Sequence, residues 1–207
     1  MERHKLAVII PAFNEAKSIA NVLNKLNNSY KVLLVNDGSV DDTSLIAKKL
    51  GAIVIDHPVN LGYDCSLNSG FEKAKDLGFE YAITLDADGQ HDPSFIKDFI
   101  NEFKKGADIV LGIRGKKQRF SEIIFALYTN LKWDIRDPLC GFKGYKLSLF
   151  EELGYFDKNK LIGTELMLFA AKNNYKISQI KIDIQKRNGK PKFGTILASN
   201  LKILKAL

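Results

Sequence analysis

The sequence predicts a single α/β domain built on a mainly parallel β-sheet that is flanked by helices. Five continuous apolar runs rich in Val and Ile occur in the first 113 residues, which is typical of strands covered on both faces. Helix-like patterns alternate with these runs, and this alternation favours right-handed crossovers between parallel strands. At 207 residues and 45% hydrophobic composition, the chain can form one full core, and we find no linker or internal repeat.

The elements of the first half follow in order from these runs and from the residues between them. The predicted strands are 6–12, 31–37, 52–56, 81–87 and 107–113, and the predicted helices are 15–27, 41–50, 64–77 and 93–104. Asp92 and Pro93 are typical of a helix N-terminus, as is the stretch 39–43. Helix ends are indicated by Gly51, Gly78 and Gly106. Ligands of such sheets bind at the carboxyl ends of the strands, so the residues that follow them are the candidate site.

The second half begins after Arg114 and has a different pattern. Its predicted elements are a basic loop at 115–119, a helix at 121–132, a turn and short strand within 137–146, a helix at 163–173, a strand at 177–185, a loop at 186–192 and a helix at 194–207. The last helix has two interpretations: an interfacial membrane helix, or a terminal helix that docks on the core or on a second copy. We favour docking.

Charge is distributed unevenly along the chain. The formal net charge is +7, but residues 1–100 carry 10 basic and 14 acidic side chains, whereas residues 101–207 carry 21 and 10. A half of net charge −4 joined to a half of +11 suits a site that holds a cation on one side and phosphates on the other. Ordinary surface variation is the alternative. The basic residues are scattered without interleaved aromatic side chains, so we expect no nucleic-acid partner.

Common nucleotide-binding and hydrolase motifs are absent from the sequence. It has no G-x-G-x-x-G after the first strand, no G-x-x-x-x-G-K-[ST], and no histidine in a nucleophile-elbow context. We interpret His91 as a surface turn residue rather than a group that supports the acidic residues beside it. Cys65 and Cys140 lie far apart, which favours reduced thiols, and no stretch resembles a signal peptide or a membrane span. We therefore expect a cytoplasmic protein.

The segment ITLDADGQHDP (83–93) places acidic side chains directly after an apolar run. Asp86 and Asp88 are two residues apart, so in extended backbone their carboxylates leave the chain on the same side. Together with Gln90 they form a predicted site for a hard cation such as Mg²⁺ or Mn²⁺, which would take further ligands from water and substrate phosphates. The alternative is a solvated turn that caps the next helix.

Two other strand ends carry residues that suit a nucleotide. Asp37 follows the second predicted strand within an Asp-Gly-Ser turn, where its carboxylate can accept a hydrogen bond from a nucleobase or ribose. Pro11 and Phe13 end the first strand and could shape a nucleoside pocket. Each of these signals is weak alone, because Asp-Gly turns are common and apolar strand ends often only pack.

Taken in order, the motifs resemble a known family. The series is PAFNEAKSI (11–19), VNDGSVDDT (35–43), NLGYDCSLNSGF (60–71), TLDADGQHDP (84–93), DPLCGFKGYK (137–146), GTELMLFAAKNNYKI (163–177) and KRNGKPKFG (186–194). It is similar to a family 2 glycosyltransferase of the Rossmann-like GT-A fold, closest to the dolichol-phosphate mannose synthase or polyprenyl-phosphate glycosyltransferase type. The resemblance spans about residues 6 to 194 and implies a GDP- or UDP-hexose donor, a divalent metal, inversion at the anomeric carbon and a polyprenyl phosphate acceptor.

The resemblance also implies roles for residues of the donor half, which we place at 1–114. Its metal-binding segment matches Asp86, Asp88 and Gln90. The nucleotide-sugar-binding positions match Pro11, Phe13, Glu15, Asp37 and Asp86, together with the late basic residues Arg187 and Lys192. Tyr63 and Asp64 depart from the small or basic residues common in the family and could narrow the donor pocket.

For the acceptor half, at 115–207, the resemblance implies a basic site for the acceptor phosphate. That site matches Lys117 or Arg119 together with Ser121. Glu165 matches a family glutamate that we interpret as a loop or metal-adjacent organiser, and the implied catalytic set is Asp88, Arg114 and Glu165.

Two alternative functions stay open beside a lipid phosphate transferase. The acceptor could be a saccharide hydroxyl, as in polysaccharide assembly. The chain could also be a non-catalytic protein that binds nucleotide sugars. For the lipid acceptor, we expect peripheral contact with the cytoplasmic face of a membrane through the basic half.

Overall fold

The computed structural model describes residues 3–26, 29–115, 120–159 and 163–185, and these form a seven-stranded mixed sheet covered by helices on both faces. The strands are β1 (Leu6–Ala12), β2 (Lys31–Asn36), β3 (Ile53–Asp56), β4 (Tyr81–Thr84), β5 (Ile109–Arg114), β6 (Lys143–Lys146) and β7 (Ile177–Ile182). Their order across the sheet is β3-β2-β1-β4-β6-β5-β7. β6 runs antiparallel to its neighbours β4 and β5, and the other pairs are parallel.

Within the described ranges, seven α-helices connect or follow these strands. They are α1 (Ile19–Leu26), α2 (Thr43–Lys49), α3 (Tyr63–Asp76), α4 (Ile96–Lys104), α5 (Phe120–Trp133), α6 (Leu147–Leu153) and α7 (Glu165–Lys172). A 3₁₀ turn at Pro93–Phe95 precedes α4, and the Asp92 carboxylate caps it by accepting from the backbone N–H of Ser94 at 2.9 Å. The predicted N-cap and the Pro at the first helical position are therefore confirmed.

The core lies on both faces of the sheet, which explains the continuous apolar runs. Along β1, Val8 and Ile10 pack into one core, whereas Ala7 and Ile9 pack into the other. Successive side chains of a strand point to opposite faces, so a strand covered twice has no polar positions. The predicted α/β fold class is confirmed.

Several boundaries differ from the predictions. The strand predicted at 81–87 ends at Thr84, so its acidic residues lie in a loop, and the helix predicted from residue 15 begins at Ile19. Helix α6 was not predicted, because it follows β6 directly with no glycine or proline between them to separate two elements. The predicted loop at 186–192 and helix at 194–207 lie outside the described residues.

Candidate active site

The carboxyl ends of β1, β2 and β4 meet at one edge of the sheet. Ala12 pairs with Asn36 at the ends of β1 and β2, and Ile9 of β1 pairs with Thr84 at the end of β4. Because β6 is antiparallel, its first residues reach the same edge, where Lys143 pairs with Thr84. The acidic loop 85–90, the turn after β2 and the segment before β6 are therefore neighbours.

The acidic loop directly follows β4, and several contacts fix its side chains. Asp88 is 6% exposed, and its Oδ1 accepts the backbone N–H of Gln90 at 2.9 Å. The Asp86 side chain is 32% exposed, and its Oδ2 lies 3.5 Å from Nδ1 of His91. The interpretation of His91 as a surface turn residue is wrong. Its ring is buried and packs against Phe142 with centroids 5.3 Å apart, so it supports the loop from beneath.

A glycine before β6 makes room for the first of these carboxylates. An added Cβ at Gly141 would lie 2.6 Å from Oδ2 of Asp86, so any larger residue would displace the carboxylate. The Thr84 hydroxyl donates to the Gly141 carbonyl oxygen at 2.6 Å and fixes this segment against β4. The half-buried Tyr63 ring lies on the same side, and burial, followed by the charges of Asp86 and Asp64, raises the pKa of Tyr63 well above its ordinary value.

The acidic loop fits a divalent cation that also binds substrate. Carboxylate oxygens are the donors that Mg²⁺ and Mn²⁺ prefer, and the described residues contain no cluster of three His, Cys, Asp or Glu side chains that would close a protein-only site. His91 is the one basic group within 4.0 Å of the Asp86 carboxylate in the described part of the chain. Asp86 and Asp88 would hold such a cation, with Gln90 beside them. Substrate phosphates would supply the remaining ligands of the cation.

The turn after β2 is organised around a buried carboxylate. Asp37 Oδ1 accepts the Leu61 N–H at 2.8 Å, and its Oδ2 accepts the Gly62 N–H at 2.9 Å. His57 Nδ1 lies 2.8 Å from Oδ1, and His57 Nε2 lies 3.0 Å from the Ser69 hydroxyl. The Asp37 carboxylate therefore fixes the loop 57–62 that leads into α3. Its predicted contact with nucleobase or ribose stays a prediction.

The loop after β1 is bound to the turn after β2 by several hydrogen bonds. The Asn14 N–H donates to Oγ of Ser39 at 2.9 Å, and the Glu15 N–H donates to Oγ1 of Thr43 at 2.8 Å. The Glu15 side chain accepts from the Ser18 hydroxyl. These two loops form one surface beside Pro11 and Phe13, which are half-buried.

Arg114 ends β5 in a buried ion-pair cluster. Its guanidinium makes two hydrogen bonds to Asp137, Nε to Oδ2 at 2.8 Å and Nη2 to Oδ1 at 2.9 Å, and Nη2 also reaches Glu122 Oε2 at 3.2 Å. Burial alone would lower the pKa of Arg114, but the hydrogen bonds and charge of Asp137 raise it above its ordinary value. Two carboxylates thus already match its charge. The role predicted for it at substrate phosphates stays a prediction.

Glu165 begins α7 and holds the loop 155–159. Its Oε2 accepts the N–H groups of Lys158 at 2.9 Å and Asn159 at 3.0 Å, and its Oε1 accepts from the Asn159 amide at 2.6 Å and the Tyr155 hydroxyl at 3.1 Å. Burial raises the pKa of Glu165, but the bonds from Asn159, Lys158 and Tyr155 outweigh it, and the net pKa is lowered. This geometry favours the loop organiser over a general base.

The remaining predicted site residues lie beyond or at the border of the described chain. Lys117, Arg119, Arg187 and Lys192 lie outside the described residues, and Ser121 is buried in the first turn of α5. At the end of the described chain, the Gln185 N–H donates to the Gln90 carbonyl oxygen at 2.9 Å, so residue 185 lies beside the acidic loop.

The sequence analysis missed four residues that organise the site. Gly141 was quoted only as part of a motif, and its close approach to Asp86 has no short-range signal. The other three are Asp137, Lys143 and His57. Their partners lie between 20 and 23 residues away in sequence, which pattern reading does not connect.

These features define an α/β protein with a GT-A architecture, whose candidate site lies at the carboxyl edge of a mixed sheet. The chain belongs to glycosyl transferase family 2, whose family model matches residues 7–154. Glucosyl-3-phosphoglycerate synthase from Mycobacterium tuberculosis, crystallised with Mn²⁺ and UDP-glucose, superposes with a TM-score of 0.77. It shares 18% identity, and the match covers 99% of this chain and 76% of that chain, a likeness in fold.

Relatives with assigned activities include lipid phosphate transferases. The chain is 30% identical to UDP-N-acetylglucosamine–dolichyl-phosphate N-acetylglucosaminyltransferase of Methanococcus voltae, over 84% of this chain and 83% of that protein. It is 33% identical to undecaprenyl-phosphate 4-deoxy-4-formamido-L-arabinose transferase of Pseudomonas fluorescens, over 56% of this chain and 37% of that protein. An uncharacterized protein of Methanocaldococcus jannaschii is 38% identical, and the chain spans 48% of its length.

Proposed function

We propose that this chain is an inverting, metal-dependent glycosyltransferase that moves a hexose from a GDP- or UDP-sugar to a polyprenyl phosphate. The observation that carries the proposal is the acidic loop itself. Asp86 and Asp88 lie at the carboxyl edge of the sheet, and the Gln185 N–H donates to the carbonyl oxygen of Gln90 in the same loop. Acidic residues at this edge and a strongly basic second half of the chain suit a cation and a diphosphate bound together. The names of the relatives from M. voltae and P. fluorescens support a lipid phosphate acceptor.

In this reaction an acceptor phosphate oxygen attacks the anomeric carbon, the bond from that carbon to the donor diphosphate breaks, and the nucleoside diphosphate leaves with the electron pair. A divalent cation held by Asp86 and Asp88 would supply positive charge to the departing diphosphate. Nδ1 of His91 accepts the backbone N–H of Asp86 at 3.4 Å, the space at Gly141 accommodates the Asp86 carboxylate, and the Gln90 N–H orients Asp88. Fixed charge of this kind stabilises a leaving group without reorganising during the reaction.

The state of Glu165 supports a phosphate acceptor over a saccharide hydroxyl. A hydroxyl needs a base to remove its proton, whereas a phosphate monoester is largely ionised near neutral pH because its second pKa is about 6. Glu165 accepts four hydrogen bonds from the loop 155–159, and its pKa is lowered, which makes it a poor base. The proposed reaction needs none, and Glu165 instead fixes a loop of the acceptor half.

Helix α5 supports contact with the membrane that holds such an acceptor. No helix of the described residues is long and apolar enough to span a bilayer. The outer face of α5 nevertheless exposes Ile123, Leu127 and Leu131, the last at 86%. Lys132 follows this row and lies 4.8 Å from the Trp133 ring centroid, and the basic stretch 116–119 precedes it. An apolar row with cationic and aromatic flanks suits an anionic lipid surface, and we propose peripheral binding there.

The direct test is transfer of radiolabelled sugar from UDP- and GDP-hexoses to a short-chain polyprenyl phosphate with Mn²⁺. We expect Asp88→Asn and excess EDTA each to abolish transfer. Asp92→Asn is the matched control, because Asp92 lies in the same segment but caps the next helix and should keep most activity. Full transfer in EDTA would contradict the proposal. Transfer only to saccharides, or donor binding without transfer, would establish one of the two alternatives.

A further inference from the structure

Asp37, His57 and Ser69 form a continuous hydrogen-bonded chain beneath the turn after β2. His57 Nδ1 lies 2.8 Å from Asp37 Oδ1, and His57 Nε2 lies 3.0 Å from Ser69 Oγ. The Asp37 and His57 side chains are both buried, with 5% and 8% exposure. Ser69 lies in the middle of α3, whereas the nucleophile of an α/β-hydrolase lies on a strand-to-helix turn. We therefore do not interpret Ser69 as a hydrolase nucleophile.

The partners of Asp37 fix the direction of each hydrogen bond. Both oxygens of Asp37 accept from backbone N–H groups, those of Leu61 and Gly62, and a carboxylate has no hydrogen to donate toward His57. Nδ1 of His57 must therefore donate to Asp37. In the neutral ring Nε2 is then an acceptor, and the Ser69 hydroxyl donates to it. The chain runs in one direction, from the α3 hydroxyl through the imidazole to the carboxylate.

This chain determines where the loop 57–62 lies. The His57 N–H donates to the Asn36 carbonyl oxygen at 2.9 Å, so the loop is attached to β2 by backbone and side chain at its first residue. At Gly38 an added Cβ would lie 2.5 Å from the Val59 carbonyl carbon, which shows how closely the loop packs on the turn. The loop ends at Gly62, the N-cap of α3, which lies in the predicted donor half.

We propose that His57 and Ser69 are positioning residues for the donor nucleotide. They act through Asp37 and do not touch substrate: the imidazole locks the carboxylate, and the carboxylate locks the loop amides in the conformation that binds the nucleotide. This inference rests on the proposed function. Its physical basis is preorganisation, because a loop that is already ordered loses less freedom when a ligand binds.

Three substitutions separate the two bonds of His57. His57→Phe removes both. His57→Asn keeps an N–H near the position of Nδ1 and should restore the bond to Asp37, whereas Ser69→Ala removes only the outer bond. We expect His57→Phe to weaken binding of UDP or GDP with Mg²⁺ by about tenfold or more, the loss of one charge-assisted bond, with kcat changed less than KM. His57→Asn should recover most of the affinity, and Ser69→Ala should lose about threefold.

Hydrogen exchange supplies a readout that needs no ligand. The amides of Leu61 and Gly62 should exchange faster in His57→Phe than in wild type and recover in His57→Asn. The exposed His4 provides the control His4→Phe, which should bind nucleotide as wild type does. If His57→Phe does not fold, Ser69→Ala and His57→Asn still report on each bond.

The outcomes distinguish this inference from the function on which it rests. Wild-type protein that binds no nucleoside diphosphate would overturn both. Binding by wild type with equal affinity in His57→Phe, or an affinity in His57→Asn no better than in His57→Phe, would overturn the positioning role alone. In the latter case His57 would be a packing residue only.

Discussion

Lys143 carries an ammonium group in the interior of the protein, and its removal gives a prediction with a definite pH dependence. The side chain is 3% exposed, and Nζ donates to the Gly163 carbonyl oxygen at 2.9 Å. Burial lowers the pKa of Lys143 from 10.5 to about 8, although the charges of Asp137 and Asp157 favour the protonated form. The substitution Lys143→Met approximately keeps the length of the side chain and removes the titrating ammonium group.

The magnitude follows from the two pKa values. Below pH 8 the native state carries the full cost of the buried charge, about 3 kcal/mol for a pKa lowered from 10.5 to about 8. As pH rises toward 10.5 this cost disappears, because native Lys143 is neutral while the unfolded lysine still binds a proton. Between pH 7 and 9 wild type should therefore gain about 1 kcal/mol of unfolding free energy relative to Lys143→Met.

At pH 7 two effects of the substitution oppose each other. Methionine relieves the cost of the charge but loses the hydrogen bond to Gly163, and a bond from a charged donor contributes about 1.5–3 kcal/mol. The variant should therefore lie within about 2 kcal/mol of wild type at pH 7 and fall behind it as pH rises. The assay is urea unfolding at pH 7, 8 and 9, with the exposed Lys146 of the same strand giving the control Lys146→Met. A difference between wild type and Lys143→Met that stays flat over this range would refute the reasoning.

Two further predictions concern the site and the surface. Gly141→Ala should lower sugar transfer at least about tenfold and weaken the apparent affinity for Mn²⁺, because its Cβ would displace the Asp86 carboxylate, whereas Gly115→Ala, with open space around its Cβ, should not. Equal metal affinity in Gly141→Ala would contradict this geometry. Leu131→Ser should reduce sedimentation with anionic phospholipid vesicles, whereas Leu77→Ser, which alters an exposed leucine just after α3, should not. Loss of a dimer in light scattering, with unchanged vesicle binding, would instead assign the α5 row to self-association.

The parts of the fold that the sequence predicts well are those with a local signal. Strands buried on both faces appear as unbroken apolar runs, and caps such as Asp92 with Pro93 mark a helix start within a few residues. The short strand predicted within 137–146 is β6, but its four residues include two lysines, one of which is buried, and give no sign of where it lies in the sheet. Its antiparallel position between β4 and β5 depends on pairing with residues more than 30 positions away, which no short pattern encodes.

For the site, residue types at strand ends were predictable, whereas the partners of charged groups were not. Asp86, Asp88 and Asp37 lie where a parallel sheet places ligand-binding residues. His91, by contrast, lies in a polar segment that gives no sign of burial, yet its ring packs against Phe142. The sequence likewise does not indicate that Arg114 forms an ion pair with Asp137.

Arg114 is already paired with two carboxylates, so we expect the positive charge that binds the substrate to come from two other segments. Among the described residues, Arg114 is bound by carboxylates and Lys143 by a carbonyl oxygen, so neither is aimed at an incoming phosphate. β5 and β7 are parallel neighbours, and Arg114 pairs with Ile182, so the basic stretches 116–119 and 186–192 follow strands that end side by side. Ile184, which precedes the second stretch in sequence, pairs with His91 beside the acidic loop. We therefore expect the cations that bind the donor diphosphate and the acceptor phosphate to come from the basic stretches 116–119 and 186–192.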